Sequence, residues 1–291
     1  MERINSFNRR FVQVCLHTCT KSPDSERSMG INMITSVTNK KVKSIVQLNK
    51  KAGLRRKEGV FIAEGIKMFL EAPLESILEV YVSEDIHKVS QIVQKLEQCR
   101  YETVSEEVFS KISDTQTPQG ILCVLKQFHY SLKDMLGGGE VPLFLVAEGL
   151  RDPGNLGTIL RAGEGAGVSG VIMSKDTVDI YNPKTIRSTM GSVYRVPFFY
   201  ADDIVQTVKE LQKNRVKVYA AHLRGEKSYS QCDYKGGTAF LIGNEGNGLS
   251  EELSEAADNY IKIPMKGRVE SLNAAVSASL LMYEAARQRE N

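Results

Sequence analysis

No stretch of the chain approaches the roughly 20 consecutive apolar residues that a membrane-spanning helix needs. The first 32 residues lack the apolar core of a secretory signal peptide. Their Arg3, Arg9 and Arg10 have the sign of a transit peptide, but Glu2, Asp24 and Glu26 oppose it. This segment shows no periodic core pattern, and a second methionine, Met33, precedes the first patterned residues. A disordered leader over residues 1–32, or an over-extended start, is the expectation. Cysteine is sparse. Cys15, Cys19, Cys99, Cys123 and Cys232 are an odd, scattered set and no disulfide framework. Cys15 and Cys19 flank His17, but no second ligand pair follows, so no zinc site is expected. A reducing, cytoplasmic setting is the simple inference. A Walker-type phosphate loop is also missing, which argues against an NTPase.

Charge of one sign is not in excess either: the net charge is +3 over 291 residues. It is locally concentrated, however. Between Lys40 and Lys57 stand eight basic residues and no acidic one. Such a run fits an anionic partner met at one surface, or simply a solvated helix face. Lys40, Lys43, Arg55, Arg56 and Lys57 are the candidate contacts, the last three from a loop after the helix. Val42, Ile45, Val46 and Ala52 recur at near-helical spacing between them, and Gly53 is positioned to close that helix.

What is present is ordinary globular composition, 42% hydrophobic and 25% charged, in a length that suits two domains. Short apolar runs at 60–63, 77–82 and 120–125, with a helical segment at 86–98, describe a first α/β domain over residues 33–126. Gly137-Gly138-Gly139 ends a linker at 127–140. From 141 to 291, near-continuous apolar runs at 143–147, 170–173, 216–221, 238–242 and 260–263 read as strands covered on both faces, hence a mostly parallel sheet. Helices fit at 156–163, 204–213 and 272–289.

Three strand–loop–helix segments of this second domain carry polar residues that chemistry can use. Asp152-Pro153-Gly154-Asn155-Leu156-Gly157 leads to Arg161. Ile242-Gly243-Asn244-Glu245-Gly246-Asn247-Gly248-Leu249 crowds glycines at a strand end, where they permit positive φ and close ligand approach. Ile263-Pro264-Met265 is followed by Ser271-Leu272-Asn273 at a helix entry. Taken singly, each has a plain structural reading: a cap, a turn, a surface arginine. Together they sit where α/β sheets bind ligands. Gly165-Ala166-Gly167-Val168-Ser169-Gly170 matches a dinucleotide fingerprint by letter. It follows a helix and precedes a strand, the reverse of that motif, and reads as a helix-terminating loop. None of the three segments contains histidine, which disfavours a Ser-His-Asp hydrolase.

In this order the three segments resemble the signature motifs of the SpoU (TrmH-like) family of the SPOUT superfamily, RNA ribose 2′-O-methyltransferases. The resemblance spans the whole second domain. It implies a parallel α/β sheet with a deep trefoil knot, which physical reading alone would not suggest. It further implies an S-adenosylmethionine cofactor held by backbone at Gly243, Ile263 and Leu272. Glu245, Ser271 and Asn273 would shape the site, Asn155 would orient Arg161 and the substrate, and Arg161 would activate the hydroxyl. A protonated guanidinium is a poor base. Either Arg161 is deprotonated in its pocket, or it holds a phosphate that takes the proton; the second avoids a neutral guanidinium. Family members act as homodimers. Glu58-Gly59-Val60-Phe61-Ile62-Ala63-Glu64-Gly65 and Gln119-Gly120-Ile121 resemble the small RNA-binding domain of ribosomal-RNA members, favouring ribosomal over transfer RNA. A transfer-RNA enzyme and a non-catalytic RNA-binding protein that keeps the fold are the alternatives.

Overall fold

A computed structural model describes residues 33–88 and 90–290; the expectations for the leader lie outside these residues. The basic segment starts at Asn39, whose carboxamide accepts from Lys41 N at 2.8 Å and caps helix Lys40–Lys50. Val42, Ile45 and Leu48 form its buried stripe. The helix does not close at Gly53. Lys51 turns extended, and a second helix, Ala52–Glu58, runs to Gly59 in the left-handed conformation at φ 64°. Arg55, Arg56 and Lys57 are therefore helical, not in a loop.

Four strands follow: β1 Val60–Glu64, β2 Ile77–Ser83, β3 Tyr101–Val104 and β4 Ile121–Lys126. They pair in the order β1-β4-β2-β3, antiparallel except for β2 with β3. Side chains alternate between the faces. Ile62, Leu122 and Val124 meet the buried stripe of helix Lys40–Lys50 together with Val108 and Phe109. Phe61, Ala63 and Cys123 point the other way, into a core continuous with that of the second domain. The expected helix at 86–98 is a 3₁₀ turn at Glu84–Lys88 followed by helix Ser90–Leu96. β3 escaped the sequence reading because its Tyr-Glu-Thr-Val run has no apolar block.

The segment 127–140 is more than a spacer. Phe128 packs 5.9 Å from the Phe61 ring and 6.2 Å from Tyr194, centroid to centroid. Ser131 and Asp134 form a capping box that starts helix Leu132–Leu136, and Met135 is buried. Only the glycine run behaves as a plain connection.

The second domain holds β5 Leu143–Ala147, β6 Gly170–Met173, β7 Phe198–Tyr200, β8 Lys217–Ala221, β9 Lys227–Ser228, β10 Thr238–Ile242 and β11 Asn259–Lys262. Their order is β7-β6-β5-β10-β8-β11-β9, and every pairing is parallel. β5 and β10 are buried along their whole length, as a sheet covered by helices on both faces requires. β7 and β9 are too short to register as apolar runs. Helix Pro153–Gly165 begins with Asp152 as its cap, accepting from Asn155 N at 2.9 Å, and with proline at its first turn. Helix Ala274–Arg289 closes the chain. The final helix lies against β5, β10 and helix Pro153–Gly165, which itself lies against β6. At Gly157 a Cβ would stand 2.5 Å from Thr185 O, so helix Pro183–Thr189 packs there only because glycine has no side chain.

Candidate active site

β5 and β10 are neighbours, while the strand order runs outward from β5 through β6 to β7 and from β10 through β8 to β11. The crevice beyond their carboxyl ends is thus the switch point of the sheet. The loops leaving these two strands are tied together. The Glu148 carboxylate accepts from Ser250 N and Ser250 Oγ, both at 2.7 Å. Asn244 donates from Nδ2 to Gly149 O at 2.6 Å, and its Oδ1 accepts from Gly246 N at 2.7 Å. Asn244 and Gly248 exchange backbone bonds at 3.0 and 2.9 Å, folding the loop back on itself. A Cβ on Gly243 would stand 2.1 Å from the Gly248 carbonyl carbon, so only glycine fits beneath that fold.

Three side chains, one from each motif, form a hydrogen-bonded row. Asn155 Nδ2 donates to Glu245 Oε1 at 2.9 Å, and Asn273 Nδ2 donates to Asn155 Oδ1 at 2.9 Å. Asn273 Oδ1 caps the final helix, accepting from Ala275 N at 2.9 Å and Val276 N at 3.3 Å. An ionised carboxylate only accepts, so the direction of every bond in the row is fixed from its Glu245 end. Glu245 also accepts from Arg151 N at 3.2 Å and Asp152 N at 3.4 Å. Burial pushes its carboxyl upward, but the Asn155 amide and these backbone N–H groups outweigh that and hold it below the usual value. Asp152 is likewise held down, first by Lys184 Nζ at 3.0 Å and then by the Asn155 N–H.

Arg161 stands six residues beyond Asn155 on the same helix, about 9 Å along its axis and on another face. It is exposed and makes no ion pair among the described residues, and it is not part of the row. Ser271 is exposed two residues before Asn273. Gly243, Ile263 and Leu272 are half-buried just past a strand end or before a helix. None of their N–H groups has a partner among the described residues. Unpaired backbone amides at half-buried positions suit a ligand bound through backbone.

The basic face divides. Lys40, Lys43, Arg56 and Lys57 are exposed and carry no ion pair among the described residues. Arg55, expected to face RNA, is 2% exposed. Its Nη2 donates to Asp179 Oδ2 at 2.5 Å, and its Nη1 donates to Leu48 O at 2.6 Å and Asn49 O at 3.1 Å. It caps the carbonyl end of the basic helix and joins it to the second domain; four of its five N–H donors are used there, and its burial keeps it from a phosphate on the surface. Glu148, Asn244 and Asp152 do structural work at the site that sequence reasoning did not assign. The signal was present, since Asn244 and Asp152 lie inside the quoted motifs.

A parallel α/β protein with its site at the switch point, built from three separated strand–loop–helix segments, is the class that fold and site define. The SpoU rRNA methylase family model matches residues 142–283, and the model of an MRM3-like substrate binding domain matches residues 39–123. The 23S rRNA (guanosine(2553)-2′-O)-methyltransferase RlmP of Bacillus subtilis is 33% identical over 256 residues, 87% of this chain and 98% of that protein. An AdoMet-bound rRNA methyltransferase from Sinorhizobium meliloti superposes with TM-score 0.77 at 32% identity, covering 88% of this chain and 97% of that one. The SpoU methyltransferase AviRb of Streptomyces viridochromogenes, solved with AdoMet, shares the fold with TM-score 0.78 at 24% identity over 87% of this chain and 98% of that one. The chain belongs to the SpoU rRNA methylase family and is a methyltransferase.

Proposed function

We propose that the protein transfers a methyl group from S-adenosylmethionine to a ribose 2′-hydroxyl of ribosomal RNA. The observation that carries this reading is the Glu245–Asn155–Asn273 row, which draws the three motifs to one point at the switch of the sheet. The S-adenosylmethionine-bound relative and the ribosomal-RNA relative supply the cofactor and substrate class. Gly243, Ile263 and Leu272 hold the cofactor through their free backbone groups. Bound there, it supplies an electrophilic methyl carbon. Asn155, clamped on both sides, and Ser271 orient the ribose. Arg161 would hold a substrate phosphate placed to accept the proton of the 2′-hydroxyl. This route avoids a neutral guanidinium, since guanidinium groups keep their proton in proteins. Orienting the 2′-hydroxyl in the site is itself worth several kcal/mol.

Lys40, Lys43, Arg56 and Lys57 supply RNA affinity from the first domain, residues 33–126. The second, residues 141–291, carries a trefoil knot. In support, the chain leaves β11 two strands from β10, yet its last helix packs back over β10 and β5. The enzyme works as a homodimer in the cytoplasm. Val276, Leu280 and Tyr283 expose one apolar stripe on the final helix, at 47%, 37% and 51%, which a second copy would cover. No helix among the described residues is long and apolar enough to cross a membrane.

The test is methyl transfer by the full chain to a protein-free 23S rRNA transcript, with the product mapped for 2′-O-methylribose. A single modified ribose is expected. Label on a base, or no transfer to ribosomal RNA, would overturn the reading.

A further inference from the structure

Beside the catalytic row lies a strip of surface that no motif covers. Helix Pro183–Thr189 packs against helix Pro153–Gly165 at Gly157, two residues from Asn155. Its Lys184 and Arg187, three apart, stand on neighbouring positions of one helix face. Each cation is held by a carboxylate from a different side. Lys184 Nζ meets Asp152 Oδ2 at 3.0 Å, and Asp152 N reaches Glu245. Arg187 Nη1 meets Asp114 Oδ2 at 2.7 Å, and Asp114 belongs to the loop 113–119 of the small domain. Both pairs are open to water, with side-chain exposures of 56% and 45% for the first and 32% and 44% for the second.

That loop is braced from below. The buried Glu64 carboxylate accepts from Ser113 Oγ at 2.6 Å, Asp114 N at 3.0 Å and Thr115 Oγ1 at 2.7 Å. Gln116 and Thr117 are thereby presented on a fixed backbone, exposed and without a hydrogen bond among the described residues. At the other end of the helix Met190 sits left-handed at φ 51° and is 39% exposed. A bulky residue rarely takes that conformation, and one that also exposes apolar surface points to use rather than packing.

We infer that this strip, from loop 113–119 across Arg187 and Lys184 to Asn155, is the track on which the RNA strand flanking the target ribose lies. Arg187 and Lys184 exchange their carboxylate partners for phosphates, Gln116 and Thr117 hydrogen-bond base edges, and Met190 packs on an unstacked base. The strip offers two cations, each paired with an exchangeable carboxylate, beside exposed amide and hydroxyl groups on a braced loop, the chemistry that reads single-stranded RNA. The inference rests on the proposed RNA activity and deepens it by naming where the strand runs.

The test turns on the sign of one substitution. Asp114→Asn keeps the backbone bond to Glu64 but removes the anion that competes for Arg187. If Arg187 takes a phosphate, binding of the full chain to a 23S rRNA transcript tightens and its salt dependence steepens. Arg187→Ala weakens binding and flattens the logarithmic salt slope by about one unit, as loss of one phosphate contact does. Met190→Gly relieves the left-handed strain, so its melting temperature holds or rises while RNA affinity falls. S-adenosylmethionine affinity stays at the wild-type value in all three. Asp114→Asn that weakens RNA binding or leaves it unchanged would show that the pair only docks the domains, and would overturn the inference. So would an unaltered salt slope in Arg187→Ala. Wild-type protein that methylates the transcript while the variants bind normally removes the track alone; wild-type protein that neither binds nor methylates it removes the RNA reading as well.

Discussion

The side chains of Asn273 and Asn155, 118 residues apart in sequence, meet at 2.9 Å, with Nδ2 of the first donating to Oδ1 of the second. Asn273 is used twice, because its oxygen caps the final helix while its amide steadies Asn155. The two uses separate by mutation. Asn273→Asp keeps the capping oxygen but loses the donor, so thermal stability is retained and turnover falls by at least about tenfold, misplacement being costly in this way. Asn273→Ala loses both, and stability falls by about 1 kcal/mol as well. Melting curves beside turnover numbers check the split; equal turnover in wild type and Asn273→Asp would remove Asn155 orientation from the mechanism.

Arg161 stands apart from the row, exposed and unpaired among the described residues, which suits a group that waits for substrate. Arg161→Ala abolishes methyl transfer and leaves cofactor affinity, measured by calorimetry, nearly unchanged. Lysine rescues poorly, since a point charge does not reproduce a bidentate phosphate fork. Wild-type turnover by Arg161→Ala would sink this assignment.

Arg55 and Arg56 are adjacent and both basic, yet their substitutions act on different measurements. Arg55→Ala takes the partner from the half-buried Asp179 carboxylate and from two carbonyl groups and costs about 1.5–3 kcal/mol of stability. Arg56→Ala, on the exposed side, changes stability by no more than about 0.5 kcal/mol. It weakens RNA binding and flattens its salt dependence. Denaturant titrations and RNA binding across a salt series distinguish the two; equal destabilisation by both would contradict the buried role of Arg55.

The depressed carboxyl of Glu245 makes a pH prediction with a definite sign. A group whose folded-state pKa lies below its unfolded value of about 4.3 stabilises fully above that pH, and the contribution disappears as pH falls through the folded value. Wild type is therefore more stable than Glu245→Gln at neutral pH, and the gap closes as pH drops below about 4. Glu245 is exposed, so solvent screening keeps the gap small. Melting temperatures of the two proteins between neutral and acid pH test this; a gap independent of pH would mean that the charge of Glu245 is not what the Asn155 amide holds.

By itself the sequence determined the local elements and the chemical inventory. Blocks such as Leu143–Ala147 and Thr238–Ile242 are apolar enough to be strands only when both faces are covered, so parallel pairing is legible in the sequence. The three polar segments announced themselves by glycine and asparagine at strand ends, and the cap at Asn273 and the loop after Gly165 followed from residue chemistry. Other features are decided between segments distant in sequence, and only the tertiary structure settles them. Nothing local distinguishes Arg55 from Arg56. The difference arises because Asp179, 124 residues on, meets one of them and leaves the other in solvent. In the same way Asn155 is an unremarkable first-turn residue until Glu245 and Asn273 arrive from other strand ends and take up both ends of its amide. Short edge strands such as β9 exist only because a neighbour supplies their hydrogen bonds. Periodicity records which side of an element is buried; it carries no record of what that side is buried against.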